Sequence, residues 1–245
     1  MTESLDAITV GEIVATDLRA ASVFEHFGID FCCGGRRSLA DACRAAGVDP
    51  GAVRAALDSI AAEITDADAE VGQWPLGRLI DHIVSTHHAY VRVAMHTIAH
   101  QLATVARVHG GRHPELARVA AAFDELQYGL QHHLTKEEQV LFPYIRELAT
   151  RVEGHPIVSP FGTVANPIRM MEREHGECGD GLRRIRELTN GYALPADGCM
   201  TYRAAFEELV RFERDLHRHV HLENNVLFPQ AIALEQQLST GSFDA

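Results

Sequence analysis

The chain has 245 residues and no run of about 18 consecutive apolar ones, so no segment reads as a membrane-spanning helix. Its first residues, Met1-Thr-Glu-Ser-Leu-Asp6, are acidic rather than basic and lead into no continuous apolar stretch. A secretory leader is therefore not expected, and a cytoplasmic location is. Positive charge is scarce: 22 Lys and Arg stand against 34 Asp and Glu, for a formal net charge of −12. Affinity for a phosphate backbone relies on basic side chains displacing counterions, so nucleic acid is excluded as a partner, as is a membrane. Cysteine is sparse and odd in number: Cys32, Cys33, Cys43, Cys178 and Cys199 follow no disulfide-framework spacing. Such a set suits reduced thiols in a reducing compartment. Strand signals are also missing, with no alternating segment to rival the helical ones.

What is present is an ordinary apolar fraction, 46%, and an unusual number of histidines, 15. The length allows one large domain, or one domain plus a small one. From Val10 to Phe27 the apolar residues Val10, Ile13, Val14, Leu18, Ala21 and Phe24 fall close to helical period, and Gly28 stops the pattern. A turn follows at Ile29-Asp-Phe-Cys-Cys-Gly-Gly35, where paired glycines supply positive φ at little cost. Ser38 is placed to cap a helix to about Ala46, and Asp49-Pro50 to open one to about Ile64. Residues 1–64 thus read as a small helical domain and 65–73, acidic and small, as a linker. The rest, 74–240, reads as four long helices: Leu76–Val108, Pro114–Thr150, Asn166–Thr189 and Cys199–Gln237. The breaks at Gly110–Pro114 and Asn190–Gly198 make two hairpins, and the expected fold is an all-α, up-down-up-down four-helix bundle.

Two stretches, His133-Leu-Thr-Lys-Glu137 and His219-Val-His-Leu-Glu223, each pair a histidine with a glutamate four residues on, and each runs into Val-Leu-Phe-Pro. His133, Glu137 and Pro143 recur 86 residues later as His219, Glu223 and Pro229. Positions i and i+4 share a helix face, so each pair aims one imidazole and one carboxylate the same way. His88 and His175 stand 45 and 44 residues before His133 and His219, on the first helix of each hairpin. The expected metal set is His88, His133, Glu137, His175, His219 and Glu223, a donor set for two first-row ions with positions left for exogenous ligands. A shift of one residue would exchange His88 for His87. His217 and His221 should face away, and His132 should sit on the flank. Asp81 shares the face of His88 and is expected to orient its imidazole, while Glu174 is a candidate carboxylate for an access channel. The repeated Val-Leu-Phe-Pro is expected to be core, each proline kinking its helix. Taken alone, the Cys32–Cys33 pair is compatible with redox-active thiols, metal transfer or a structural role.

The His-x3-Glu order with single upstream histidines resembles the haemerythrin family, in which a four-helix bundle holds an oxo- or hydroxo- and carboxylate-bridged di-iron centre. Four histidines can be placed here, against five in an oxygen-carrying haemerythrin, which implies a more open and reactive centre. The added Asp30-Phe-Cys-Cys-Gly-Gly35 domain and Leu222-Glu-Asn-Asn-Val-Leu-Phe-Pro229 make the chain similar to the repair-of-iron-centres family, from about residue 8 to 235. That resemblance places two iron ions on the six residues already named and the family's cysteine pair on Cys32 and Cys33. It implies repair or protection of iron–sulfur clusters under nitrosative and oxidative stress, by iron donation or by nitric oxide reduction. The implied partners are damaged iron–sulfur proteins, an electron donor and the small molecules nitric oxide or oxygen, with the chain a monomer or homodimer. A haemerythrin-like oxygen or nitric oxide sensor is the alternative, and a structural zinc or manganese bundle a third reading.

Overall fold

The computed structural model describes residues 7–61, 71–150 and 159–240. Among them the chain is helical throughout, its only β contact being an isolated bridge between Thr9 and Ser38. It divides into two compact units, residues 1–81, 145–165 and 217–245 forming one, and 82–144 and 166–216 the other.

The first unit opens with α1 (Val10–Thr16), α2 (Ala20–Phe27), α3 (Leu39–Ala46) and α4 (Pro50–Ala61). Thr9 starts α1 with a capping box: its hydroxyl accepts from the Glu12 N–H while Glu12 reaches back to the Thr9 N–H. The period across Val10–Phe27 had suggested one helix, but the chain breaks at Asp17. There the Asp17 carboxylate takes the Arg19 N–H and guanidinium, an arrangement that competes with the helical ladder. Gly28 ends α2 and Gly47 ends α3, each at φ near +70° (67 and 69), where a Cβ would be strained. Ser38 caps α3 as expected. Val10, Val14, Phe24, Phe31, Leu39, Cys43 and Val53 make a core with Val220 from the C-terminal part of the chain. The unit also contains a 3-10 turn (Val71–Gln73), α5 (Leu76–His82) and α8 (Phe142–Ala149) from Ile145 onward. Most of the expected linker, 65–70, lies outside the described residues.

The second unit is a four-helix bundle built from α6 (Ala89–His109), α7 (Glu115–Lys136), α9 (Ala165–Leu188) and α10 (Met200–Leu222) as far as Leu216. Its core runs the length of all four, from Val91, Ile98 and Val105 through Phe123 and Leu130 to Leu182, Leu209 and Leu216. Cross-links fix the direction of each neighbour. Tyr90 bonds Glu208 while His109 bonds Cys199, so α6 and α10 run antiparallel. Arg184 bonds Glu125 while His175 meets His133, so α7 and α9 do too. The topology is therefore up-down-up-down. The spacings of 45 and 44 residues conceal compensating differences: α6 continues to His109, α9 stops at Leu188, and the second connection is the longer.

Three π-helical turns interrupt the long helices: π1 (Ile83–His88), π2 (Glu137–Leu141) and π3 (Glu223–Leu227), the last followed by α11 (Phe228–Thr240). π2 and π3 have one cause. Pro143 and Pro229 have no N–H to give the carbonyl four residues back. The preceding Phe142 and Phe228 N–H groups reach instead to Glu137 and Glu223, five residues back. The disturbance expected at each proline is thus a widened turn that begins on a candidate ligand.

Candidate metal centre

Within the bundle, α6, α7 and α9 bring four of the expected ligands together. His88, at the end of π1, is fully buried, as is Glu137 at the start of π2; His133 and His175 are buried at 4% and 2% exposure. His88 Nε2 lies 3.5 Å from Glu137 Oε2, and His133 Nε2 lies 3.2 Å from Glu137 Oε1. His175 Nε2 stands 4.0 Å from that same Oε1 and 3.0 Å from His133 Nε2. One carboxylate is therefore shared: one oxygen turns to His88 and the other to the His133–His175 pair. Neither Glu137 oxygen has a hydrogen bond, despite complete burial. A buried carboxylate without donors costs several kcal/mol or more, by general estimate, unless a cation or hydrogen bonds compensate it. Imidazole nitrogens that crowd it without hydrogen-bond geometry are suited to donate to a third atom, and the residues fit metal binding in this respect.

The outer faces of the imidazoles support this. His88 Nδ1 is 2.7 Å from Glu138 Oε1, which also accepts from Arg92 at 2.7 Å. His133 Nδ1 is 2.9 Å from Glu174 Oε2, and Lys136 pairs with the other oxygen. An imidazole that donates through Nδ1 presents a lone pair at Nε2, the tautomer a metal requires. The His133 hydrogen bond, with Lys136 adding to it against partial burial, holds the Glu174 carboxyl down at about 2. Glu138 is likewise lowered by Arg92 and His88, against the burial that opposes them.

In the other unit, His219 Nε2 lies 3.0 Å from Glu223 Oε1, with both side chains buried. The repeat thus gives the same i,i+4 pair twice, each on the last turn of an α-helix that passes into a π turn.

Several neighbouring residues fall differently from expectation. Asp81 does not orient His88: it is exposed and pairs with Arg146 at 2.5 Å. Glu138 takes that place; on a regular helix it would stand about 140° from His133, but the π turn starting at Glu137 breaks that 100° count. His87 is turned to Asp215, 2.9 Å away, which leaves His88 facing Glu137. His132 stacks edge-on against exposed Tyr128, on the flank as expected. Glu174 anchors His133 through Nδ1 and pairs with Lys136. His155 lies outside the described residues.

His217 and His221 face the cysteine turn, their rings 6.1 and 5.8 Å from that of Phe31. Desolvation depresses His221 to about 4. The turn itself is ordered by Asp30 Oδ1, which accepts from the N–H groups of Cys32 (3.2 Å) and Cys33 (3.0 Å). Asn225 Nδ2 donates to the carbonyls of Phe31 (3.3 Å) and Cys32 (3.2 Å), and Asn224 Nδ2 to that of Cys32 (3.4 Å). Cys33 is exposed and Cys32 buried. The hydrogen bond that the Cys32 thiol donates to Cys33 Sγ, then burial, push that thiol up. Asp30, Cys32 and Cys33 put one ligand atom each within 4.8 Å of the others.

Residues 79–231 match the hemerythrin HHE cation binding domain, and residues 7–61 match ScdA_N, a domain of unknown function. Similar proteins include the iron-sulfur cluster repair protein YtfE of Citrobacter koseri, 33% identical over 227 residues, which cover 92% of this chain and 97% of that protein. The proteins of that name from Enterobacter sp. strain 638 and Escherichia coli O157:H7 are 34% and 33% identical over the same shares. With an ScdA_N domain ahead of a buried histidine–glutamate centre in a hemerythrin bundle, the chain belongs to the YtfE family of iron–sulfur cluster repair proteins.

Proposed function

We propose that this chain is a non-haem di-iron protein that repairs or protects iron–sulfur clusters damaged by nitrosative and oxidative stress. The observation that carries the reading is Glu137, a fully buried carboxylate shared between two sets of imidazoles and without a hydrogen bond at either oxygen. Mixed imidazole and carboxylate donors favour iron, manganese or zinc over calcium. In this reading His88, His133, Glu137, His175, His219 and Glu223 would hold two iron ions through their imidazole and carboxylate donors. A di-iron pair bound by these residues would supply transferable ferrous ion, or the two electrons needed to reduce two nitric oxide molecules to nitrous oxide.

The chain's own residues keep the ligands ready. Glu138 and Glu174 retain the Nδ1 protons, and Phe142 stacks on the His88 ring with centroids 5.7 Å apart, covering one face. The clients are damaged iron–sulfur proteins and the compartment is the cytoplasm; no helix among the described residues is long and apolar enough to cross a membrane. The division into a 1–64 domain, a 65–73 linker and a 74–240 bundle is supported by the two matched regions.

Metal analysis tests the site. Protein from iron-replete cells should carry close to two irons per chain, and joint replacement His133→Leu/His219→Leu should remove them. Stoichiometric iron in that variant, or zinc in the unaltered protein, would overturn the assignment. Incubating the reduced protein with nitric oxide without air should yield nitrous oxide, whereas iron donation should reactivate a damaged cluster enzyme with matching loss of iron. Reversible oxygen binding with neither activity would identify a sensor instead.

A further inference from the structure

At the hairpin end of the bundle Cys199 and His109 form a pair that the metal centre does not use. Cys199 is exposed and precedes α10, its carbonyl accepting the first intrahelical bond from Arg203 at 3.0 Å. Its Sγ lies 3.2 Å from Nε2 of His109, the last residue of α6. His109 is buried at 5% exposure, and its other ring nitrogen, Nδ1, has no hydrogen-bond partner. Tyr202 packs against the ring with centroids 5.4 Å apart and holds it in place.

The orphaned nitrogen decides how the pair is wired. A neutral imidazole carries one N–H. Placed on Nδ1, that hydrogen would be buried with nothing to accept it, at a cost of about 1–3 kcal/mol by general estimate. Placed on Nε2, it points at the Cys199 sulfur. The favoured arrangement is thus Nε2–H donating to sulfur, with sulfur as the acceptor. The partial positive charge at the start of α10 acts on the sulfur in the same sense. Exposure leaves the sulfur open to attack an incoming reagent.

We propose that Cys199 is a nucleophilic thiol supported by His109, and that it takes small-molecule disulfides, such as glutathione disulfide, into a reversible mixed disulfide. The Cys199 proton leaves to solvent, and the sulfur attacks one sulfur of the reagent. The reagent's S–S bond breaks as the new one forms. The departing thiolate carries off the electron pair and takes up a proton from water. The disulfide is the only oxidant, and an excess of thiol reverses the step. His109 is a positioning residue here and forms no bond to the reagent.

The test uses the full chain as isolated, treated with excess glutathione disulfide, quenched and mapped by peptide mass. The reference is a synthetic peptide covering residues 196–203 in the same buffer, which contains no other cysteine. Cys199 in the folded protein should react faster than in the peptide, by about tenfold, in line with thiols held by a histidine at a helix start. His109→Phe should bring the rate down to that of the peptide or below, while His109→Gln, whose amide N–H can replace Nε2–H, should restore most of the gain. A wild-type rate equal to or slower than the peptide's overturns the proposal, and this measurement needs no variant to fold. Full acceleration in His109→Phe would overturn it as well.

Discussion

Glu138 shows how much a single carboxylate can do without touching a metal. Its bond to His88 Nδ1, shared with Arg92, sets the ring's tautomer and rotation. Glu138→Ala should therefore weaken iron affinity by roughly ten- to a hundredfold, as losses of such partners do. Competition against a calibrated chelator measures it, and Glu177→Ala, which removes only an exposed pair with Arg173, should leave affinity unchanged. The two buried His-x3-Glu pairs were legible because each needs only its own helix and a repeat: His133 and Glu137 lie on one face whatever their neighbours do. Glu138 was not legible, because its partner lies on another helix and its angle depends on a π turn. Asp81 was misplaced for the converse reason. Sharing a face with His88 does not bring two side chains together when an arginine, Arg146, offers Asp81 a better partner at the surface.

At the level of the element, the π turns place the glutamates. Relative to an α-helix a π turn holds one extra residue, so removing one should restore the regular ladder and re-aim the side chains of that turn, Glu137 and Glu138 among them. Deleting Val140, half-exposed within π2, is the direct test. Helix content by circular dichroism should be kept or slightly raised, while bound iron should fall well below two per chain. Retention of both irons would show that Glu137 reaches its place without the turn. The helices themselves were legible from apolar period, and their ends at Gly28, Ser38 and Pro50 from local chemistry. The break at Asp17 was not, because a side chain competing for a backbone N–H leaves no mark on the hydrophobic period. The repeated prolines were visible, but only the bond from Phe142 to Glu137 tells a widened turn from a kink.

At the level of the whole molecule, the first unit depends on a contact that admits no side-chain carbon. A Cβ added to Gly35 would meet Asn225 Oδ1 at 2.3 Å, and one added to Gly11 would meet it at 2.6 Å. The Asn225 amide holds the cysteine turn through the same approach. Gly35→Ala should destabilise this seating by about 1–3 kcal/mol, the usual cost of overpacking, and speed proteolysis within α1 to α4. Gly111→Ala, with nothing within 4 Å of the added carbon, should be silent in the same assay. The pair Gly34–Gly35 was readable in the sequence as a turn, although neither takes the positive φ expected of it. Their partner, nearly two hundred residues away, was not, since no local pattern encodes which distant amide a turn will accept.

The link between Phe142 and Glu137, and between Phe228 and Glu223, also yields a rule of spelling. In both copies a proline stands six residues after an inward glutamate, and that interval is what a five-residue hydrogen bond followed by a ring without N–H demands. Read as a grammar, His-x3-Glu-x5-Pro encodes the ligand pair together with the backbone distortion that aims it. A genome search on that string would therefore select for a shaped site, where His-x3-Glu alone selects only for a helix face.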